Sequence, residues 1–333
     1  MTGAAVVAGL GSSVPASAIT NDMLAGRLDT SDEWIRSRTG IGARYWIEPG
    51  QATSDLAVEA GARAVESAGG DQPQAVVVAT TTPDRPCPAT APAVATRLGL
   101  RGAAAFDVAA VCSGFLYGLA TGAGLIATGI ADRVLVIGAD TFSTILDPDD
   151  RSTGVIFGDG AGAVLLRSGQ SSEPGALQAL DLGSDGSGTD LITVPAGGSR
   201  QRSTGSAAPA TDTYLKMAGR EVFRESVSRM VGSCESVLEQ TGWTVADVDR
   251  LVPHQANLRI MHGVADRLGM DRDRAVVDLD RVGNTSAASI PLALARAAAE
   301  GTVQPGDNLL LTAFGGGLTW GSATLTWPDI KPV

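Results

Sequence analysis

The order of apolar segments repeats once along the chain, and this repeat constrains the fold more than any other feature. The repeated pairs of segments are 75–79 with 250–253, 105–108 with 275–279, and 134–139 with 309–313; the last pair leads to glycine-rich segments at Phe157 and Phe314. In each half a helical pattern follows the second segment, at 115–128 and 289–300. The matching order predicts two similar α/β units, 1–170 and 171–333, each a sheet covered by helices.

Composition narrows the class of protein. The chain has 333 residues, of which 44% are hydrophobic and 18% charged, so it can bury a large core. No apolar segment reaches membrane-spanning length or follows a basic N-terminal flank, and we expect a cytoplasmic protein. The net charge of −11 argues against binding nucleic acid.

The three cysteines, at 87, 112 and 234, lack the spacing of metal ligands or of a disulfide framework, which favours a reducing compartment and no metal site. Cys112 stands where the apolar run 104–108 turns into a helix. The unpaired backbone N–H groups and the dipole at the start of a helix are expected to stabilise a thiolate there. Cys112 is therefore a candidate nucleophile.

Two further polar groups follow apolar runs. His254 comes directly after 250–253, and Asn284 follows 275–279. Active sites of open α/β sheets gather where strands end, so Cys112, His254 and Asn284 are candidates for one site. Taken singly, each residue also has an ordinary structural explanation: a small core side chain, a structural imidazole and a turn asparagine.

Six segments together carry a resemblance to the ketoacyl synthase III family of the thiolase superfamily. They are Ser-Asp-Glu-Trp-Ile-Arg-Ser-Arg-Thr-Gly-Ile at 31–41, the segment around Cys112, 156–163, Pro-His-Gln-Ala-Asn at 253–257, Gly-Asn-Thr-Ser-Ala-Ala-Ser at 283–289, and Phe-Gly-Gly-Gly-Leu-Thr-Trp-Gly at 314–321. The segments 107–115 and 138–144 look more like the priming ketosynthases of actinomycete polyketide pathways. The resemblance implies a thiolase-like duplicated fold with a five-layered αβαβα core, and a homodimer.

The implied activity is decarboxylative condensation of an acyl-CoA primer with malonyl-acyl carrier protein, without a cofactor, to start fatty-acid or polyketide synthesis. Cys112 would carry the acyl group, and the backbone N–H groups of Cys112 and Gly316 would form its oxyanion hole. Neutral His254 and Asn284 offer N–H donors to the enolate oxygen that forms when CO2 leaves. Phe314 would present an apolar face to the departing carboxylate.

The resemblance also assigns substrate-binding residues. They are Trp34, Arg38 and Arg151 for the nucleotide of coenzyme A, Gly219, Phe223 and Asn257 for its pantetheine arm, Arg259 for docking the carrier protein, and Cys87 for the end of the partner's acyl pocket. Two positions depart from the family pattern: Asp266 stands beside Arg267 where relatives carry a basic pair, and Val282 replaces an aromatic residue or histidine.

Two other functions remain open at this point. One is an acyltransferase that uses Cys112 but never decarboxylates, which release of CO2 would separate from a condensing enzyme. The other is a non-catalytic partner subunit, which would form no acyl adduct on Cys112.

Overall fold

The computed structural model describes residues 3–333. Its helices are α1 (Asn21–Ala25), α2 (Asp32–Thr39), α3 (Thr53–Ser67), α4 (Ala91–Arg97), α5 (Gly114–Ala127), α6 (Arg151–Gly154), α7 (Ser199–Arg202), α8 (Gly219–Thr241), α9 (Leu258–Leu268), α10 (Leu279–Val282) and α11 (Ser289–Glu300). Its strands are β1 (Ala4–Ser13), β2 (Ser17–Thr20), β3 (Ala43–Trp46), β4 (Ala75–Ala79), β5 (Ala104–Val108), β6 (Arg133–Thr141), β7 (Asp159–Gly169), β8 (Leu177–Ser184), β9 (Ile192–Thr193), β10 (Lys216–Met217), β11 (Arg250–Pro253), β12 (Asn308–Gly315) and β13 (Thr319–Thr326).

Two mixed sheets form the frame of the molecule. The first has the strand order β1-β7-β6-β4-β5, and the second has the order β11-β12-β13-β8. In the first sheet β4 runs parallel to both β5 and β6, while β7 is antiparallel to its two neighbours. The wholly apolar sequence of β4 suits this central position, because a strand covered on both faces has no polar side.

The second sheet repeats the first with one strand fewer. Strand β11 is parallel to β12, and β13 is antiparallel to β12 and β8, so β8, β13, β12 and β11 correspond to β1, β7, β6 and β4. The predicted strand at 275–279 is wrong. Only Ala275 forms an isolated bridge, to Leu251, and α10 already begins at Leu279.

The buried side chain of Gln255 explains this difference. Its Oε1 accepts hydrogen bonds from the backbone N–H groups of Asp278 (2.8 Å) and Leu279 (3.2 Å), and its Nε2 donates to the carbonyl oxygen of Val276 (3.1 Å). One carboxamide thus takes the hydrogen bonds that a neighbouring strand would otherwise satisfy.

Helices cover both sheets and separate them. Helices α3 and α4 pack on the first sheet, α8 packs on the second with α9 against it, and α5 and α11 lie between the sheets, where they contact strands of both. The predicted five-layered αβαβα architecture is confirmed. All strands of the first sheet precede residue 170 and all strands of the second follow it, which supports the proposed division into units 1–170 and 171–333.

None of the helices within residues 3–333 is long and apolar enough to cross a membrane.

Glycines let α5 lie close to the first sheet. A Cβ atom at Gly118 would lie 2.8 Å from Val136 Cγ1, and one at Gly122 would lie 2.9 Å from Leu166 Cδ1. Gly124, in the same helix, is exposed, and a Cβ there would meet nothing within 4 Å.

We therefore expect opposite effects from two alanine substitutions in α5. Gly124→Ala should raise the free energy of unfolding by about 1 kcal/mol, the gain in helix propensity. Gly118→Ala makes the same gain but overpacks the sheet at a cost of about 1–3 kcal/mol, so it should lower stability. Urea unfolding of both variants measures the difference; equal stabilisation by both would show that α5 does not need this close approach.

Candidate active site

Cys112, His254 and Asn284 line one enclosed cavity of about 160 Å³. Four other residues singled out in the sequence line it too: Gly219, Phe223, Asn257 and Phe314. Most of the remaining wall is apolar, formed by side chains such as Ile156, Val222 and Met230. The structure thus brings a thiol, an imidazole and a carboxamide together in a site with little room for water.

Cys112 is held by a strained turn between β5 and α5. The residues Val111–Ser113 form a 3-10 turn in which Val111 has φ of 48°, an unfavourable value for a β-branched residue. The Ser113 hydroxyl lies 2.8 Å from the carbonyl oxygen of Ala110 and 2.7 Å from Thr319 Oγ1. A Cβ at Gly315 would lie 2.7 Å from the backbone nitrogen of Cys112, so a glycine is required at that position.

Burial decides the protonation state of the Cys112 thiol. Desolvation is the main reason that its pKa is raised to about 12; the neighbouring Ser286 hydroxyl lowers that pKa and the carboxyl of Asp140 raises it. The prediction of a stabilised thiolate is therefore wrong for the resting site, because desolvation outweighs the start of the helix.

His254 is neutral and held in one orientation. It directly follows β11, its backbone N–H donates to the carbonyl oxygen of Thr312 (2.7 Å), and burial lowers the pKa of its imidazole to about 3. Its Nδ1 lies 2.7 Å from Ser289 Oγ, which already accepts a bond from the Gln255 N–H at 3.4 Å. We expect the Ser289 hydroxyl to donate to Nδ1, which would place the single imidazole proton on Nε2.

The carboxamide of Asn284 is oriented by its own turn. Its Oδ1 accepts a hydrogen bond from the backbone N–H of Ser286 at 2.9 Å, which leaves the NH2 group to donate elsewhere. The preceding Gly283 has φ of 72°, and a Cβ there would lie 2.9 Å from the carbonyl oxygen of Ile156. Glycine at this position therefore fixes the approach of Asn284 to the cavity.

Gly219 and Phe223, at the start of α8, are the exposed residues among those that line the cavity. A Cβ at Gly219 would meet nothing within 4 Å, and Phe223 is one of the large apolar side chains that remain exposed. Phe314, at the end of β12, is buried in the wall.

Trp34, Arg38 and Arg151 form a separate cluster outside the cavity. The guanidinium carbon of Arg151 lies 4.9 Å from the centre of the Trp34 ring and that of Arg38 lies 6.0 Å away. Asn257 connects this cluster to the cavity that it lines, because its Nδ2 donates to the carbonyl oxygen of Arg38 (3.1 Å). The Asn257 Oδ1 caps α9 by accepting from the Arg259 N–H (2.9 Å), and the side chain of Arg259 is exposed.

The structure does not bring Gly316 and Cys87 into this cavity. Gly316 lines a second cavity of about 910 Å³, which shares Val111 and Ile192 with the first. Cys87 is exposed in the loop between β4 and α4, and Pro83 and Pro86 of the same loop line the second cavity. Val282 is one of the two positions that depart from the family pattern. Its side chain is buried and does not line the first cavity.

Four further residues organise the site and were not predicted from the sequence: Asp140, Gln255, Ser286 and Ser289. Gln255 lies in the segment 253–257, and Ser286 and Ser289 lie in the segment 283–289. Their position in these family segments could have marked them as candidates. Their contacts with Cys112, His254 and the chain before Asn284 arise only from the fold.

Residues 106–186 match the family model described as 3-oxoacyl-[acyl-carrier-protein] synthase III, and residues 238–327 match the model of its C-terminal part. The chain is 62% identical over 330 residues to beta-ketoacyl-[acyl-carrier-protein] synthase III 5 of Streptomyces coelicolor, covering 99% of both chains.

Two solved structures are also similar. The 3-oxoacyl-(acyl carrier protein) synthase III of Pseudomonas aeruginosa matches with a TM-score of 0.92 and 51% identity, over 99% of this chain and 100% of that one. The priming beta-ketosynthase of the R1128 polyketide biosynthetic pathway matches with a TM-score of 0.91 and 34% identity, over 98% of this chain and 97% of that one.

The contact between Ser289 and His254 can be tested by nitrogen NMR, because the chain has only two histidines. We expect the ¹⁵N shifts of His254 to report the neutral Nε2–H form down to pH 5, since its pKa lies near 3. Ser289→Ala removes the donor to Nδ1, so a mixture of both neutral forms should appear; the half-buried ring of His262 serves as the internal reference. An unchanged His254 signal in this variant would show that another group selects the tautomer.

Proposed function

Because this chain belongs to the 3-oxoacyl-[acyl-carrier-protein] synthase III family, we propose that it condenses an acyl-CoA primer with malonyl-acyl carrier protein. The products are CO2, free coenzyme A and 3-ketoacyl-acyl carrier protein, and the reaction starts a polyketide or fatty-acid chain. One observation carries the proposal: a thiol and two neutral N–H donors line the same small apolar cavity.

In the first half-reaction Cys112 takes the acyl group from coenzyme A as a thioester. The backbone N–H groups of Cys112 and Gly316 are proposed to stabilise the oxyanion of the tetrahedral intermediate. The close approach of the neighbouring Gly315 to the Cys112 nitrogen supports this role, because it brings the turn after β12 against the nucleophile.

In the second half-reaction the malonyl thioester loses CO2, and its enolate attacks the acyl group on Cys112. His254 Nε2–H and the Asn284 NH2 donate to the enolate oxygen. Both donors are neutral before the substrate binds, so neither has to lose a proton to water or to reorient at the moment of reaction. Phe314 supplies the apolar wall that disfavours the malonyl carboxylate until CO2 leaves.

The cluster outside the cavity fits the nucleotide of coenzyme A. Trp34 offers a ring for stacking on adenine, and Arg38 and Arg151, which lie over that ring, offer guanidinium groups to phosphates. The pantetheine arm is proposed to pass Asn257 and to enter between Gly219 and Phe223, which line the cavity mouth.

The exposed Arg259 on α9 is proposed to dock the acidic carrier protein. The family departure at Asp266 does not leave a free negative charge on this helix, because Arg272 holds that carboxylate at 2.7 Å. Arg267 is also exposed, so α9 presents two basic side chains to a partner.

We also propose that the protein is a homodimer and acts in the cytoplasm. We propose further that it needs neither metal nor cofactor, because the thiol and the N–H donors serve acyl transfer and decarboxylation. Strand β5 supports the dimer: it is an edge strand of the first sheet, and its Phe106 and Val108 are only half-buried. A second copy paired along β5 would extend the sheet and cover these side chains.

Two substitutions separate the half-reactions and test the function. Cys112→Ala should abolish acyl-enzyme formation, measured by mass spectrometry, yet leave slow CO2 release from malonyl-acyl carrier protein, because His254 and Asn284 remain. Asn284→Asp should acylate normally, since either carboxylate oxygen can accept from the Ser286 N–H, but should lose condensation by roughly 10²–10³-fold.

Four results would contradict this assignment. Condensation at the wild-type rate in Cys112→Ala would exclude it as the nucleophile, and equal loss of acylation in Asn284→Asp would make that residue structural. A wild-type protein that acylates without ever releasing CO2 would be the non-decarboxylating acyltransferase, and one that never acylates would be a partner subunit.

A further prediction concerns primer length. Cys87 is proposed to reach across the dimer and close the partner's acyl pocket, where acetyl-specific relatives have a bulky aromatic residue. The smaller cysteine leaves room for more methylenes, each contributing about 0.8 kcal/mol when buried. We therefore expect a preference for primers from propionyl to hexanoyl, and Cys87→Phe should shift the preference to acetyl.

The measurement is kcat/KM for acetyl-, butyryl-, isobutyryl- and hexanoyl-coenzyme A. Cys87→Ser, which has nearly the same volume, is the control and should keep the wild-type preference. An acetyl optimum that Cys87→Phe leaves unchanged would show that this residue does not set the depth of the pocket.

A further inference from the structure

One hydroxyl group joins the Cys112 turn (residues 110–113) to the Gly316 turn (residues 315–319). It belongs to Thr319, the first residue of β13. Its Oγ1 lies 2.9 Å from the carbonyl oxygen of Ala110 and 2.7 Å from the hydroxyl oxygen of Ser113, on the two sides of Cys112. The same Oγ1 lies 3.1 Å from the carbonyl oxygen of Gly316. A single side chain thus contacts both turns.

No other hydrogen bond within residues 3–333 joins the segment 110–113 to the segment 315–319. The two turns also pack together, since a Cβ atom at Gly315 would lie 2.7 Å from the backbone nitrogen of Cys112. Packing keeps the turns close, but hydrogen bonds depend on direction as well as distance. The Thr319 hydroxyl is therefore the group that fixes the orientation of one turn against the other.

The outer side of the Gly316 turn is anchored independently of Thr319. The backbones of Leu318 and Asp185 exchange two hydrogen bonds of 2.8 Å, and the Thr189 hydroxyl donates to the carbonyl oxygen of Gly317 at 3.1 Å. Removal of the Thr319 hydroxyl would leave these bonds intact. It would release the turn only on the side that faces the nucleophile.

The two turns carry the backbone groups that are proposed to form the oxyanion hole. In the part of the chain that the structure describes, residues 3–333, the N–H groups of Cys112 and Gly316 donate to no other residue, so a substrate oxygen can take both. Such donors have to lie about 2.7–3.1 Å from the position that the oxyanion will occupy. The orientation of the two turns therefore decides how well these N–H groups stabilise it.

We infer that Thr319 is a positioning residue for acyl transfer: its hydroxyl holds the N–H groups of Cys112 and Gly316 at the separation that an oxyanion requires. The inference rests on the proposed function, because it takes these two N–H groups as the oxyanion hole. In this role the hydroxyl contacts the two turns and not the substrate. It acts in the tetrahedral intermediate of acyl transfer to Cys112, and again when the enolate attacks the acyl group.

The first test compares Thr319→Val with Thr319→Ser. Valine has nearly the shape of threonine but lacks the hydroxyl, which serine keeps. Rapid-quench measurement at saturating acyl-coenzyme A should show acylation slowed by roughly 10- to 100-fold in Thr319→Val, the effect of a catalytic group displaced by about 1 Å. Thr319→Ser should restore most of the rate. Acylation at the wild-type rate in Thr319→Val would overturn the inference.

Thr324→Val is the matched control, because it makes the same substitution in the same strand. The Thr324 hydroxyl is buried without a hydrogen-bond partner within residues 3–333, and Thr324 lines neither of the two cavities. A buried hydroxyl without a partner destabilises a protein, so this variant should be at least as stable as the wild type and should acylate normally. Equal slowing in Thr319→Val and Thr324→Val would show that Thr319 has no special role.

Two further rates separate the oxyanion hole from a general effect on the site. Alkylation of Cys112 by iodoacetamide, followed by peptide mass spectrometry, forms a carbon–sulfur bond without an oxyanion and should have the same rate in Thr319→Val as in the wild type. CO2 release from malonyl-acyl carrier protein without a primer depends on His254 and Asn284, so it should also be unchanged. If either rate falls together with acylation, Thr319 shapes the whole site and the inference is wrong.

The wild-type protein keeps the two conclusions apart. If it forms no acyl-enzyme, the proposed function is wrong and the inference falls with it. If it acylates and Thr319→Val acylates equally fast, only the inference is wrong. Thermal unfolding shows whether each variant is folded, and Thr319→Ala, which also lacks the hydroxyl, takes the place of Thr319→Val if the valine does not fit.

Discussion

The buried carboxamide of Gln255 is the interaction on which the geometry of the site depends most. It bonds to the backbone at Pro253, Val276, Asp278 and Leu279 with all its hydrogen-bonding groups in use. The first of these residues precedes His254 and the last begins the short helix before Asn284. Two donors from separate segments are thereby held at a fixed separation by one side chain, and loss of this amide would leave several backbone groups buried without partners.

A second constraint is the contact between two strained turns. Val111 and Ser286 both have left-handed backbone conformations, which cost about 1–3 kcal/mol each, and their turns pack against each other. Neither residue is a glycine, so the surrounding structure has to enforce the conformation. A glycine nearby allows a second close approach: a Cβ at Gly138 would overlap the carbonyl oxygen of Ala287, so this part of β6 can lie against the turn at Ser286 because it has no side chain. Cys112 and Ser286 are thus positioned by backbone contacts rather than by flexible side chains.

Most of the architecture could be predicted from the sequence, because strands and helices leave local patterns of apolar residues. The apolar runs became β4, β6, β11 and β12, the helical patterns became α5 and α11, and the repeated order gave the layers. The prediction of a strand at 275–279 was wrong, because a buried irregular segment has the same apolar pattern as a buried strand. Only the position of Gln255 in space decides between the two structures. The catalytic candidates could be found because each follows a strand or an apolar run. The protonation state of Cys112 could not be predicted. It depends on how completely residues distant in sequence, such as Phe314 and Met230, exclude water from the cavity.

The burial of Cys112 also affects how fast oxidants and electrophiles in solution can react with its sulfur. Peroxide and most electrophiles attack thiolates, and they do so fastest at exposed sulfur. We expect a thiol that is buried and whose pKa is raised to be a poor target for both. A covalent inhibitor would gain little from intrinsic reactivity. It would instead have to follow the path proposed for the substrate, past Phe223, and present a carbonyl-like group to the sulfur.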